Sequence, residues 1–176
     1  MYRAWSSLTL ALLLAIAGPH PTARAAAPPT PAEPVYEMEV LGVAPDPASG
    51  TPLVYLRAKQ DKRELSMFIG PFEAQGIILP LQAMRPPRPY THDLMLEALH
   101  RLKVKVKQVV ITELRDNIYY ASLVLEAQGQ DLTLDSRPSD AIALALRENA
   151  PILANEKAFA GSLRSRGPGS AEGGSP

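Results

Sequence analysis

The run Asp135-Ser136-Arg137-Pro138-Ser139-Asp140 places two carboxylates, a guanidinium and two hydroxyls just before and at the start of the apolar stretch Ala141 to Ala145. A helix N-terminus carries unpaired N–H groups and a partial positive charge. Polar side chains gathered there either cap the helix or form a preorganised site for an anion or a metal. A second stretch, Pro87-Arg88-Pro89-Tyr90-Thr91-His92-Asp93-Leu94, has the same layout: an arginine stiffened by prolines, a hydroxyl cap at Thr91 and an acid in the first turn. His92 and Asp93 are neighbours, so on a helix they point about 100° apart. They cannot form one face alone, but either can meet the first motif if the two helix starts converge.

Two readings of these residues stand side by side. In one, Asp93, Asp135 and Asp140, with Glu73, supply carboxylates of the kind that hold magnesium or manganese. In the other, Thr91, Asp93, Ser139 and Asp140 only cap helices and complement their dipoles. His92 and His100 are the only histidines of the folded region, which excludes a multi-histidine zinc site. Phosphate-loop, dinucleotide and zinc-protease motifs are absent, as is a nucleophile elbow, so no organic cofactor is expected. Lys103, Lys105 and Lys107 alternate with Val104 and Val106 and could follow a phosphate backbone from one strand face. The same pattern also describes a solvated sheet face.

The elements that must position these groups follow from periodicity and turn residues. Val35 to Val43, Leu53 to Ala58 and Leu65 to Ile69 read as strands. Gly70-Pro71 opens a helix carrying Glu73, in which Gly76 and Pro80 are out of place, and a kink or early end is expected at Pro80. Met95, Ala98, Leu99 and Leu102 predict the core-facing side of a second helix. Val104 to Thr112 and Tyr119 to Ala127 predict a hairpin through Arg115-Asp116-Asn117, and Asp131 to Asp135 a short strand. The helix of the first motif then shows Ile142, Ala145 and Leu146 on one face, and Pro151-Ile152-Leu153 closes the domain as a short extended piece. The expected fold is a single compact α+β domain, a mostly antiparallel sheet with about three helices packed on it. No internal repeat is visible.

Composition narrows the function. The 18 basic and 18 acidic residues cancel, and without the first 25 residues the balance is −2, because Arg3 and Arg24 leave with them. Bulk electrostatic capture of nucleic acid is therefore excluded, and any such binding must be local. No cysteine is present, so disulfides, thiolate metal sites and a cysteine nucleophile are excluded. Residues 1–25 read as an export signal: Arg3, an almost wholly apolar segment from Leu8 to Ala17, a Gly18-Pro19 break and Ala23-Arg24-Ala25. That segment is about half the length of the roughly 20 residues a membrane span needs. Residues 26–34 read as a proline-rich linker, 35–160 as the folded domain and 161–176 as a disordered tail. The expected location is secreted or periplasmic, with no membrane span after signal cleavage.

Taken in order, Ile69-Gly70 with Glu73-Ala74, Arg88-Pro89 with Thr91-His92-Asp93-Leu94, Tyr120-Ala121, and Arg137-Pro138-Ser139-Asp140-Ala141-Ile142-Ala143-Leu144-Ala145 resemble the bifunctional nuclease domain family over about residues 36 to 158. The resemblance implies a compact α+β domain that self-associates, with a dimer as first guess, and nuclease activity on RNA and DNA. Phosphodiester hydrolysis needs an activated water and stabilisation of charge on the phosphoryl oxygens. On that reading His92, Asp93, Arg137 and Asp140 are the catalytic candidates. Asp93, Asp135, Asp140 and Glu73 are the metal candidates, and Arg88, Ser139, Lys103, Lys105 and Lys107 contact the strand. The alternative is a non-catalytic binding or assembly module of the cell envelope, with Arg137 and Asp140 in a structural network. Burial discriminates: a buried Arg137 favours structure, an open cleft favours chemistry.

Overall fold

The computed structural model describes residues 33–160. The segments read as an export signal and as a tail, and nearly all of the one read as a proline-rich linker, lie outside the described residues. Alternating apolar residues build three antiparallel strands first: β1 (Val35–Pro45), β2 (Pro52–Ala58) and β3 (Glu64–Phe68). Two helices follow, α1 (Pro71–Leu81) and α2 (Thr91–Arg101). A second antiparallel meander comprises β4 (Val104–Arg115), β5 (Ile118–Ala127) and β6 (Gln130–Ser136). The turns at Asp116-Asn117 and Gln128-Gly129 have positive φ at both positions, the handedness that suits two-residue hairpins. Then come α3 (Pro138–Glu148), β7 (Ile152–Asn155) and the one-turn α4 (Glu156–Phe159).

The expected α+β architecture is the observed one, a seven-stranded, mostly antiparallel sheet in the order β3-β2-β1-β7-β4-β5-β6. The closing piece at 152–155 is more than an appendage. It is the strand between the two meanders, antiparallel to β1 and parallel to β4. Ile152 and Ala154 are buried, and only the gap between β1 and β4 gives their backbone partners on both sides. The plan also repeats where the sequence shows no repeat. Each meander runs into an eleven-residue helix with proline in its first turn, α1 after β3 and α3 after β6.

One buried cluster joins Met38, Leu56, Leu65, Val109, Ile111 and Leu123 of the sheet to Ile77 of α1 and Leu144 of α3. Two predicted helix faces are corrected. Ala141 to Ala145 are buried all round, so α3 is an enclosed helix and not a one-faced one. Its three alternating alanines keep it slim enough for α1 to come close, with Ala143 facing Gly76. In α2, Leu96 is the buried residue and Leu99 is half-buried, while Met95 and Leu102 are exposed. The helix is turned about its axis because His92 and Asp93 point inward to polar partners.

Candidate functional site

The three long helices carry an acid at the same place, the third residue: Glu73 in α1, Asp93 in α2 and Asp140 in α3. Only Asp93 caps its own helix. Its Oδ2 accepts the Tyr90 N–H at 2.9 Å, so the cap expected from Thr91 is made by Asp93 reaching back. In α3 no side chain bonds to the first N–H groups, and the Asp140 carboxylate is engaged elsewhere. Capping therefore does not account for the polar run at 135–140.

Arg137 does account for it. Its Nε donates to Asp140 Oδ2 at 2.7 Å and its Nη2 to Oδ1 at 3.1 Å, while Nη1 reaches Glu73 Oε1 at 2.9 Å. His92 Nε2 lies 3.3 Å from Asp140 Oδ1. The guanidinium thus ties the starts of α1 and α3, His92 brings the start of α2 to the same Asp140, and the three dipoles favour an anion there. Burial pushes the Asp140 carboxyl up, but the bonds from Arg137 and His92 outweigh it and hold the group below the usual carboxylate range. Asp140 in turn raises the Arg137 guanidinium further above its ordinary value. Arg137 is 65% exposed and His92 15%. They line, with Phe72, Glu73, Tyr90 and Asp140, a cleft of about 440 Å³.

The buried arginine is a different one. Arg147, 10% exposed in the last turn of α3, donates from Nε to Asp93 Oδ1 at 2.6 Å. Its Nη1 reaches the carbonyls of Gly76 at 2.7 Å and Ala143 at 2.8 Å. Burial pushes the Asp93 carboxyl up, and the bonds from Arg147 and the Tyr90 N–H more than offset this. So of the adjacent pair, His92 meets the first motif through Asp140 and Asp93 meets α3 through Arg147. Sequence reasoning missed Arg147. The signal was present: it follows Asp140 by seven residues, two helical turns along the same face.

Arg147 also explains the two residues out of place in α1. Proline at 80 has no N–H for the carbonyl of residue 76, and Arg147 bonds that carbonyl instead. The helix ends at Leu81, one residue beyond Pro80. At Gly76 an added Cβ would lie 2.9 Å from His92 Cε1 and 3.1 Å from its Nδ1. Alanine is normally favoured over glycine within a helix by about 1 kcal/mol. Here Gly76→Ala is expected to lower the melting temperature and to displace the imidazole from Asp140. The thermal transition and the His92 NMR signals check this; a raised Tm with unmoved signals would contradict it.

The remaining predicted residues are not brought to the cleft. Arg88 stays in the exposed loop between α1 and α2. Lys103 precedes β4 in a left-handed turn, Lys105 pairs across to Glu126, and Lys107 bonds Asp131 at 2.6 Å. These lysines stand at the β4 end remote from Ile111, the residue that shares a sheet row with Ala121 and Ser136 next to Arg137. Asp135 pairs with Ser122 and points off the sheet face opposite to Leu134 and the core residue Leu123. Ser139 is 7% exposed and lines a second cavity of about 350 Å³, bordered by Phe68, Ile118 and Tyr119, with Arg137 standing between the two cavities. The Tyr119 hydroxyl is buried without a hydrogen-bond partner among the described residues, and burial pushes its phenol up.

The carboxylates expected to hold magnesium or manganese do not gather as a ligand set. Asp93 is taken by Arg147, Asp135 is on the other face, and Arg137 bonds both Glu73 and Asp140. Among the described residues no three His, Asp or Glu side chains are placed to hold a metal ion.

The comparisons with known proteins agree with one another. The model of the bifunctional nuclease domain matches residues 54–163. An uncharacterized protein of Mycobacterium tuberculosis is 35% identical over 124 residues, 70% of this chain and 74% of the relative. Bifunctional nuclease 1 of Oryza sativa subsp. japonica is 34% identical over 103 residues, 56% of this chain and 31% of the plant protein. A bifunctional nuclease of Oryza minuta matches to the same extent.

Proposed function

Given that the chain belongs to the bifunctional nuclease domain family, we propose that it is an exported nuclease that hydrolyses phosphodiester bonds of RNA and DNA at the Arg137 cleft. The observation that carries this reading is the division of labour between two arginines. Arg147 does the structural work in the interior, which leaves Arg137 open to solvent, bidentate on an acid and beside a histidine. A guanidinium so placed can turn its fork from carboxylate to phosphate, whose geometry it matches equally well.

Each group then has a task. Arg137 holds the scissile phosphate and stabilises the charge that builds on its oxygens. His92, as an imidazolium, gives the Nε2 proton that it otherwise shares with Asp140 to the leaving oxygen and ends neutral. Glu73, released as Arg137 turns to the phosphate, takes the proton of the attacking water. One guanidinium faces two carboxylates here, so Arg137, Glu73 and Asp140 together leave a charge of −1. An added divalent cation, magnesium or manganese, would favour phosphate entry, and that requirement is part of the proposal. The export signal read at residues 1–25 makes the place of action secreted or periplasmic. Self-association as a dimer would cover Leu94 and Met95, exposed on α2, and Leu102 directly after it.

The chain without residues 1–25 should digest single- and double-stranded substrates with magnesium or manganese and stop in EDTA. Asp140→Ala should lower cleavage at least about 100-fold, in the range set by losing a group that positions the proton donor, with an unchanged circular dichroism spectrum. Equal cleavage by this variant would remove Asp140 from the mechanism. No cleavage by the wild type with any divalent cation would leave the binding-module reading in its place.

A further inference from the structure

Phe72 is 87% exposed in the first turn of α1, directly before Glu73. The core has no use for it, yet it lines the same cleft as Tyr90, His92 and Arg137. Across Arg137 lies the second recess, bordered by the half-exposed Phe68 and Ile118 and by Tyr119. One exposed cation therefore stands between two aromatic-lined recesses. That alternation of apolar surface, charge and apolar surface matches a phosphate between two bases.

We propose that the preferred substrate is an unpaired strand, with the phosphate on Arg137 and the two flanking bases held in the recesses, one of them stacked on Phe72. The inference rests on the nuclease reading and adds the substrate class to it. A duplex keeps its base faces covered and offers phosphates and groove edges, which would leave Phe72 in water. A single strand presents base faces to aromatic side chains, and each stack is worth roughly 5- to 150-fold in binding. The local balance of charge fits as well. With two acids beside Arg137 and a nearly neutral domain, phosphate contacts alone attract a strand weakly, so the bases must supply affinity.

The test compares Phe72→Ala with the full-length wild type on three fluorescent 12-mers in magnesium: a single strand, the same strand with abasic sites flanking one phosphate, and the duplex. Cleavage is read as kcat/KM at that phosphate, and binding by anisotropy with calcium in place of magnesium. The wild type should prefer the single strand over both other substrates by at least about tenfold. Phe72→Ala should remove most of the preference for the base-bearing strand, and Phe72→Trp should restore it. Equal loss on the intact and abasic strands, with a shift from dimer to monomer in light scattering, would overturn the proposal in favour of an interface between copies. Cleavage of all three substrates at equal rates by both proteins would overturn it and leave the nuclease reading standing. Binding of the single strand without cleavage would sink the nuclease reading alone, and failure to bind any of them would sink both.

Discussion

Arg137→Ala is expected to lower phosphodiester cleavage about 100- to 1000-fold, the loss seen when a preorganised donor to a developing anion is removed, while the melting temperature changes by no more than about 2 °C. The two halves of this expectation come from the same exposure. At 65% accessibility the ion pairs to Glu73 and Asp140 are screened by water and contribute little to folding. Their value lies in placing a fork of N–H donors where three helix starts meet. Arg137→Lys keeps the charge but loses the fork, so it should recover only a small part of the activity. Steady-state kinetics on an oligonucleotide, with differential scanning calorimetry of the same preparations, separates the two effects. A variant that unfolds but stays active when folded would reverse the assignment.

Arg147→Met is expected to do the opposite and to destabilise the domain by about 3 kcal/mol, since it strands the Asp93 carboxylate and leaves the Gly76 carbonyl without a donor. For a domain of this size that is a fall of roughly 10 °C in Tm. The effect should depend on pH in a definite direction. Asp93 is held below the usual carboxylate range in the folded protein, despite the upward push of burial. Its contribution is therefore complete above the unfolded value of about 3.9 and is lost as pH falls further, through the folded value. Wild type and variant should differ fully at pH 7, and the difference should shrink as pH falls below the unfolded value, down to the part owed to the Gly76 carbonyl. Thermal melts across that range provide the measurement, and a difference that stays constant with pH would mean that the carboxylate is not the partner that matters.

The strands, the two proline-started helices and the polar helix starts were legible in the sequence because each rests on local signals: alternation, turn residues, proline at a first position. What was not legible depends on distant partners. Gly76 and Pro80 look like defects in α1 until Arg147, some seventy residues later, takes the free carbonyl and His92 fills the space a Cβ would need. The face of α2 was misread for the same reason, since apolar spacing pointed to Met95 and Leu102 while polar contacts at His92 and Asp93 set the rotation. Asp135 was grouped with the site by residue type, and the lysines at 103–107 by their alternation along one strand face. Strand pairing sends them to the other face or the other end of the sheet. The motif at 137–140 did yield a constellation, but its members come from three helices, and only the fold puts Glu73 on Arg137.

The position of β7 has a consequence for how the molecule comes into being. Val35 pairs with Asn155, so the first and the last strand of the domain are neighbours. Until residues 152–155 are available, the chain consists of two separate meanders with the facing edges of β1 and β4 bare, and such edges invite pairing with other chains. Closing a loop of that length slows the step that completes the sheet. The four residues Ile152 to Asn155 are thus a keystone: they come late in the chain, they are short, and the two halves cannot become one body before they are set.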